Sequence, residues 1–218
     1  MSRAEPREAV VRTARMMSAA GLAESFGHVS TRLGEGFLIT TVEPFMTQSP
    51  EDVIHVPNLS DPPSGGGGAP LETPMHAEIY RARDDVSAIC RGHPPSVVAW
   101  GTGTESLPLA HGLGAMAGAD VLVHPDVDLI STSAQGLQVA QTLGVGPSLI
   151  LRANGCLSTG SSLLEALTRL YYLEERARVV LDSSGRGDDI DWAGRLRHTQ
   201  TELKRAMAWI DATFGEET

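Results

Sequence analysis

The chain has 218 residues, 41% hydrophobic and 20% charged, an ordinary balance for a globular protein with enough length to bury a core. Its 27 acidic and 17 basic side chains leave a formal net charge of −10. That argues against non-specific nucleic-acid binding, but not against an anionic substrate held by a few local arginines.

Lys204 is the only lysine and falls in a polar C-terminal helix, so Schiff-base chemistry is not expected. Cys90 and Cys156 sit in apolar strand-like runs, as buried thiols of a reducing compartment do. No apolar run reaches the roughly 18 residues of a membrane span, and the N-terminus lacks a signal-peptide pattern. A cytoplasmic protein of one domain over 1–218, without membrane or nucleic-acid partners, is expected.

Residues 3–20 read as an amphipathic helix with Val10, Ala14 and Met17 on its apolar stripe, ended by Gly21. Residues 25–32 and 36–41 read as strands joined by a turn, and Val53 to Val56 as a further short strand. The run PNLSDPPSGGGGAP at 57–70 reads as a flexible surface loop leading into Glu72, where a lid would sit. Its four glycines are not a phosphate-cradling loop, because no Gly-Lys-Ser/Thr follows. Thr73 is a good N-cap and Pro74 suits the first helical position, for a helix to about Arg83. Asp84-Asp85 ends it, and Val86 to Cys90 form a strand that delivers His93 at its end.

Ser96 to Gly101 reads as a helix, and LPLAHGLGAMAG at 107–118 as a strand or loop entering a small-residue turn. Val121 to Val123 is a strand, Ser133 to Leu143 a helix, and Ser148 to Leu151 a buried strand stopped by Ala153-Asn154-Gly155. In the next helix Ser162 and Glu165 form a capping box, with Leu163, Leu167, Leu170, Leu173, Ala177 and Leu181 on the apolar side. After Ser183-Ser184-Gly185-Arg186-Gly187 a last helix is expected over 191–213, capped by Asp191.

The densest chemistry lies in APLETPMHAEIYRARDDVSAICRGH, residues 69–93. Ala69-Pro70-Leu71-Glu72, His76, Ile79-Tyr80 and Arg91-Gly92-His93 resemble the class II aldolase/adducin family, which carries Pro-Ser-Ser-Glu, a His four residues later, Ile-Tyr, and a strand ending in His-x-His. Gly27-His28-Val29-Ser30 and Leu38-Ile39-Thr40 resemble the family's Gly-Asn-x-Ser and Leu-Ile-Thr-Pro-x-Gly, and Asn154-Gly155 falls where the family has His-Gly. The resemblance covers roughly residues 7–182. It implies an α/β fold of three layers, α/β/α, around a central, mostly antiparallel mixed sheet. It also implies a homo-oligomer, expected to be a homotetramer, with active sites at subunit boundaries.

Glu72 matches the family's catalytic acid/base; read without the family, it is a loop glutamate helping to cap a helix. The family holds zinc with three histidines, and here those positions are Arg91, His93 and Asn154. A guanidinium has no free acceptor and an amide is a poor zinc ligand, so the three-histidine site cannot form as written. A divalent metal would have His93 as its remaining family ligand; the cofactor is left open. The phosphate-holding positions of the sugar-phosphate members carry His28, Val42-Glu43 and Pro70-Leu71, which implies a substrate without phosphate. Gly112 follows His111 where those aldolases use a tyrosine, and no tyrosine occurs after Tyr172, which weakens the aldol reading.

Arg91 and Arg152 end apolar strands; each either captures a substrate carboxylate or pairs with an acidic side chain. The catalytic candidates are Glu72, His93 and His111, and the substrate-binding candidates Arg91, His28, Asn154 and Arg152. His124 is a weaker candidate, and His55, His76 and His198 read as structural. The expected function is that of a lyase on a small non-phosphorylated carboxylate, foremost a decarboxylase like some relatives acting on hydroxylated aromatic acids. Two alternatives stand beside it: a metal-independent isomerase, dehydratase or cyclase on the same fold, and a non-catalytic adducin-like binding protein.

Overall fold

The computed structural model describes residues 4–183 and 190–215. Seven strands form one sheet: β1 (His28–Leu33), β2 (Gly36–Ile39), β3 (Ile54–Val56), β4 (Ala88–Gly92), β5 (Leu122–His124), β6 (Ser148–Leu151) and β7 (Cys156–Gly160). Their order is β3-β2-β1-β4-β7-β6-β5, and only β5 and β6 pair in parallel. This is the mostly antiparallel mixed sheet that the family resemblance implies.

Helices cover both faces. On one side lie α1 (Ala4–Ala19), α3 (Pro95–Trp100) and α5 (Leu163–Ser183), packed with Val29, Ala88 and Cys90 of the strands. On the other lie α2 (Thr73–Ala82) and α4 (Ser133–Leu143), packed with Phe37, Ile39, Ile89 and Leu157. The strands follow the period of two that a sheet buried on both faces requires. In β4, Ala88 and Cys90 face α5, while Ile89 and Arg91 face α2. In β1, Val29 faces α5, while His28 and Ser30 face α2. His28 and Arg91 are direct partners in the β1–β4 ladder, so their side chains emerge together beneath the start of α2.

Several boundaries differ from the sequence reading. Thr73 is the first residue of α2 rather than its cap, and its hydroxyl donates to Pro70 O at 2.6 Å. Glu72 holds the cap position without bonding through its side chain, which frees its carboxylate for other partners. In the stretch 107–118, Leu107 bridges Val121 and the small-residue turn takes the form of a 3-10 helix at Gly112–Ala117. Its organiser is Arg176 of α5, which is buried and donates to the carbonyls of Pro108, Gly118 and Ala119 at 2.8, 2.7 and 3.1 Å.

At α5, Ser162 Oγ accepts from Glu165 N at 3.2 Å, but the Glu165 carboxylate takes Ser161 N rather than closing the box on Ser162. Leu181 is exposed. The single C-terminal helix is instead two, α6 (Ala193–Leu196) and α7 (Thr199–Phe214), because no apolar residue between Leu196 and Leu203 anchors the joint. Trp192, not Asp191, holds the N-cap position of α6, although Asp191 Oδ1 accepts from Ala193 N at 3.0 Å. Of the expected linker at 183–187, residues 184–187 lie outside the described residues. Among the described residues no helix is long and apolar enough to cross a membrane.

Candidate active site

A cleft of about 510 Å³ opens at the ends of β1 and β4, beside the N-terminus of α2. Glu72, Arg91, His28, His93 and Asn154 line it. Local backbone chemistry explains how so many polar groups meet. Gly27, with φ near +151°, lets the chain pass Arg91 O at a distance where a Cβ would sit 2.8 Å from that oxygen. Gly155, at φ +84°, turns the β6–β7 hairpin so tightly that a Cβ would lie 2.2 Å from Gly92 O, which sets Asn154 beside His93.

Glu72 is buried, 4% exposed, so it is not the solvated capping glutamate. Arg91, fully buried, lies along its carboxylate, with Nη2 3.3 Å from Oε1 and Nε 3.1 Å from Oε2. The Nε approach is an ion-pair contact too bent for a hydrogen bond. His28 Nε2 lies 3.3 Å from the same Oε2. Burial pushes the Glu72 carboxyl above its ordinary pKa, and the Arg91 cation pulls it back.

Arg91 Nη1 turns to His93 Nε2 in a short contact, while His93 Nδ1 is 3.2 Å from Phe26 O. Arg91 Nη1 also lies 2.9 Å from Nδ1, within reach of both ring nitrogens, but the Phe26 carbonyl only accepts, which places the ring proton on Nδ1 and leaves Nε2 as the acceptor. Burial first, and Arg91 second, push the His93 pKa down to about 4, opposed by bonds to Phe26 O and the Asn154 side chain. His28 is held well below its usual pKa, again by burial first and then by the neighbouring His76, Arg91 and His93.

The donor set does not fit a three-histidine zinc centre. The guanidinium of Arg91 occupies the face of His93 that would bind an ion. Among the described residues no group of three or more His, Cys, Asp or Glu side chains is arranged to hold a metal. The positions that would hold phosphate in sugar-phosphate aldolases, Val42, Glu43, Pro70 and Leu71, do line this cleft. They give it an apolar and acidic wall instead of hydroxyls. The 57–70 loop is tied down beside them, with the single Ser64 hydroxyl hydrogen shared between Leu71 O and Ser131 O, at 3.0 and 2.9 Å from Oγ.

Three sequence candidates lie elsewhere. Arg152 is half-buried and reaches Pro125 O at 3.5 Å. His111 packs against the Arg176 side of α5, with Nε2 buried and without a hydrogen-bond partner among the described residues. His124 bonds Thr142 Oγ1 at 3.0 Å, away from the cleft. Conversely, His76, read as structural, is fully buried and lies directly behind His28, with its Nε2 3.3 Å from His28 Nδ1. Its position four residues after Glu72 was visible, but that it faces a second histidine across two elements was not.

Comparisons with known proteins bear on the family and the fold. A 3,4-dihydroxyphthalate decarboxylase of Arthrobacter keyseri is 27% identical over 241 residues, covering 98% of this chain and 97% of the relative. A 5-methylthioribulose-1-phosphate/5-deoxyribulose-1-phosphate aldolase of Escherichia coli O45:K1 (strain S88 / ExPEC) is 25% identical over 193 residues, covering 87% and 90%. An L-fuculose 1-phosphate aldolase structure superposes with a TM-score of 0.82 at 20% identity, covering 94% of this chain and 98% of that one. The model of the class II aldolase and adducin N-terminal domain matches residues 8–181, and the chain belongs to that family.

Proposed function

We propose that the chain is a lyase of the decarboxylase kind, acting on a small non-phosphorylated carboxylate with an apolar, hydroxylated aromatic body. Decarboxylase and aldolase relatives support the lyase class. One observation carries the decarboxylase choice: a buried Glu72, raised in pKa, shares the Arg91 cation in a cleft whose other wall is apolar. Phe26, Val42, Leu71 and Leu129 are exposed large apolar side chains that line it, a surface that suits an aromatic ring better than a polyol phosphate.

Arg91 draws the substrate carboxylate to the cleft floor. A second anion there favours the protonated form of Glu72, and Arg91 exchanges one carboxylate partner for the other. The carbon–carboxyl bond then breaks, its electron pair stays on carbon, and CO₂ leaves. Protonated Glu72 delivers the proton that takes up that pair, and solvent returns it. His93, kept neutral, orients Arg91 through Nη1, and Asn154 steadies His93. A homotetramer is the proposed assembly.

The test is CO₂ release from a panel of hydroxybenzoates and dihydroxyphthalates by the wild-type protein and by Glu72→Gln. Release that depends on Glu72 supports the reading. An isomerised or cyclised product with no CO₂ would move the protein to the metal-independent isomerase or cyclase alternative.

A further inference from the structure

Behind Glu72 runs a line of buried polar side chains that leads away from the cleft into the α2 side of the core. His28 Nε2 lies 3.3 Å from Glu72 Oε2. His28 Nδ1 lies 3.3 Å from His76 Nε2, His76 Nδ1 lies 2.7 Å from Ser30 Oγ, and Ser30 Oγ lies 2.8 Å from Tyr80 Oη. His76, Ser30 and Tyr80 have no measurable exposure and His28 only 9%. The placement is set by two periodicities. His28 and Ser30 are two apart on β1, and His76 and Tyr80 are four apart on α2, so the four side chains interleave.

Hydrogen-bond direction along the line can be worked out from its two ends. At one end an ionised Glu72 only accepts. At the other, the Tyr80 hydroxyl has Ser30 as its hydrogen-bond partner among the described residues. If the line ran outward, the Tyr80 hydrogen would be buried without an acceptor. It therefore runs inward. Tyr80 donates to Ser30, Ser30 to His76 Nδ1 and His76 Nε2–H to His28 Nδ1, which leaves His28 Nε2–H facing Glu72 Oε2 as a charge contact. Both histidines are then neutral Nε2–H tautomers, and aligned donors reinforce one another.

We propose that His76, Ser30 and Tyr80 are positioning residues that lock His28 as the neutral Nε2–H tautomer, whose N–H faces Oε2 of Glu72 and favours the carboxylate. A hydrogen bond to the carboxylate itself comes from Arg91 Nη2 to Oε1 at 3.3 Å, while Arg91 Nε and His28 Nε2 face Oε2 as charge contacts. Without the line, His28 is free to take the Nδ1–H tautomer. Its bare Nε2 then presents a lone pair to Oε2, and Glu72 holds its proton more tightly. Neutrality of both rings agrees with the chemistry around them: burial foremost, with Arg91 adding repulsion, takes His76 to about 3 and depresses His28 as well. The charged or titratable groups facing the line are Glu72 from the α2 cap, Arg91 and His93 from the end of β4, the buried Cys90 thiol of β4 near Tyr80, and Arg32 of β1, whose guanidinium lies 4.8 Å from the centre of the Tyr80 ring.

This inference rests on Glu72 as the proton carrier, but its test does not need turnover. In protein with ¹⁵N-labelled histidine, the ring nitrogen shifts report which nitrogen carries hydrogen. Wild type is expected to show His28 and His76 as neutral Nε2–H tautomers from pH 6 to 8. An imidazolium at His76, or an Nδ1–H tautomer at His28, would overturn the proposal. His76→Phe removes the donor while leaving a ring beside Phe37, now 6.5 Å from His76 between centroids. It is expected to mix the His28 tautomers, to raise the Glu72 carboxyl pKa read by ¹³C by about 1 unit, and to lower kcat about 10-fold at unchanged KM.

His76→Gln, whose amide offers both a donor and an acceptor, is expected to recover most of each. Ser30→Ala, a one-atom change, reads the same line should His76→Phe not fold. Unchanged His28 tautomer and Glu72 pKa in these variants would overturn the proposal. A tautomer change with kcat intact would support the line and instead sink Glu72 as the catalytic acid.

Discussion

The guanidinium of Arg91 lies along the carboxylate of Glu72, with contacts of 3.1 and 3.3 Å, and both side chains are almost wholly buried. Such a pair is costly to break from one side, since the survivor is left as a buried lone charge. Arg91→Met or Glu72→Gln alone is expected to destabilise the fold by about 3–5 kcal/mol. The double variant should lose clearly less than the sum of the two. Urea unfolding of the four proteins measures this, and additive losses would mean that the two groups are not coupled.

Stability should fall on mild acidification. His28 and His76 are held below the ordinary histidine pKa of 6.5, chiefly by burial, His76 down to about 3. Below pH 6.5 the unfolded chain therefore binds protons that the folded chain refuses, so stability drops as pH falls through this range. Two such groups approach a slope of about 2–3 kcal/mol per pH unit. Glu72, raised above its ordinary value, acts in the opposite sense at the acidic end of the window, but His93, His111 and His124 are lowered as well and add to the two core histidines. Urea midpoints at pH 7.5 and pH 5 are expected to differ markedly, with a shallower difference in His76→Gln. A midpoint that holds or rises at pH 5 would show that the histidines are not kept neutral.

No useful turnover of fuculose- or ribulose-type phosphates is expected, because Val42, Glu43, Pro70 and Leu71 offer a phosphate no hydroxyl donors and Glu43 adds like charge. A coupled assay for dihydroxyacetone phosphate or glycolaldehyde checks this. Turnover at ~1 s⁻¹ or faster, an ordinary enzyme rate, would refute it.

The wild-type protein is expected to hold no three-histidine zinc, since Arg91 Nη1 fills the face of His93 where the ion would lie. Arg91→His with Asn154→His restores three imidazoles at the two strand ends. After dialysis against a chelator and re-exposure to zinc, the double variant should bind about one equivalent and wild type far less. Stoichiometric zinc in both would contradict the assignment of Arg91 as a cation in place of the metal.

Much of this architecture was readable from the chain. β6 and α4 fall where periodicity puts them, because both carry uninterrupted patterns between strong stop signals. The cleft assembles Glu72, Arg91, His28, His93 and Asn154 from segments whose spacing already resembled one family. His111 and Arg152 were candidates because they sit at ends of apolar runs, but an end does not say which way the chain turns. Arg152 swings to Pro125 O, and the turn before His111 is pulled to α5 by Arg176. Nothing in the sequence pattern sets Arg176 apart from the other charged residues of α5. His76 was assigned to the core, and it is there, but its pairing with His28 depends on the angle between a strand and a helix. No one-dimensional period encodes that angle.

The most direct measurement is CO₂ release from 3,4-dihydroxyphthalate and related hydroxylated aromatic acids, by wild type and by Glu72→Gln shown to be folded at the assay temperature. The account expects release by wild type at enzymatic rates, ~1 s⁻¹ or above, and a loss of about 10²–10⁴-fold in Glu72→Gln. A folded Glu72→Gln that releases CO₂ as fast as wild type would contradict it.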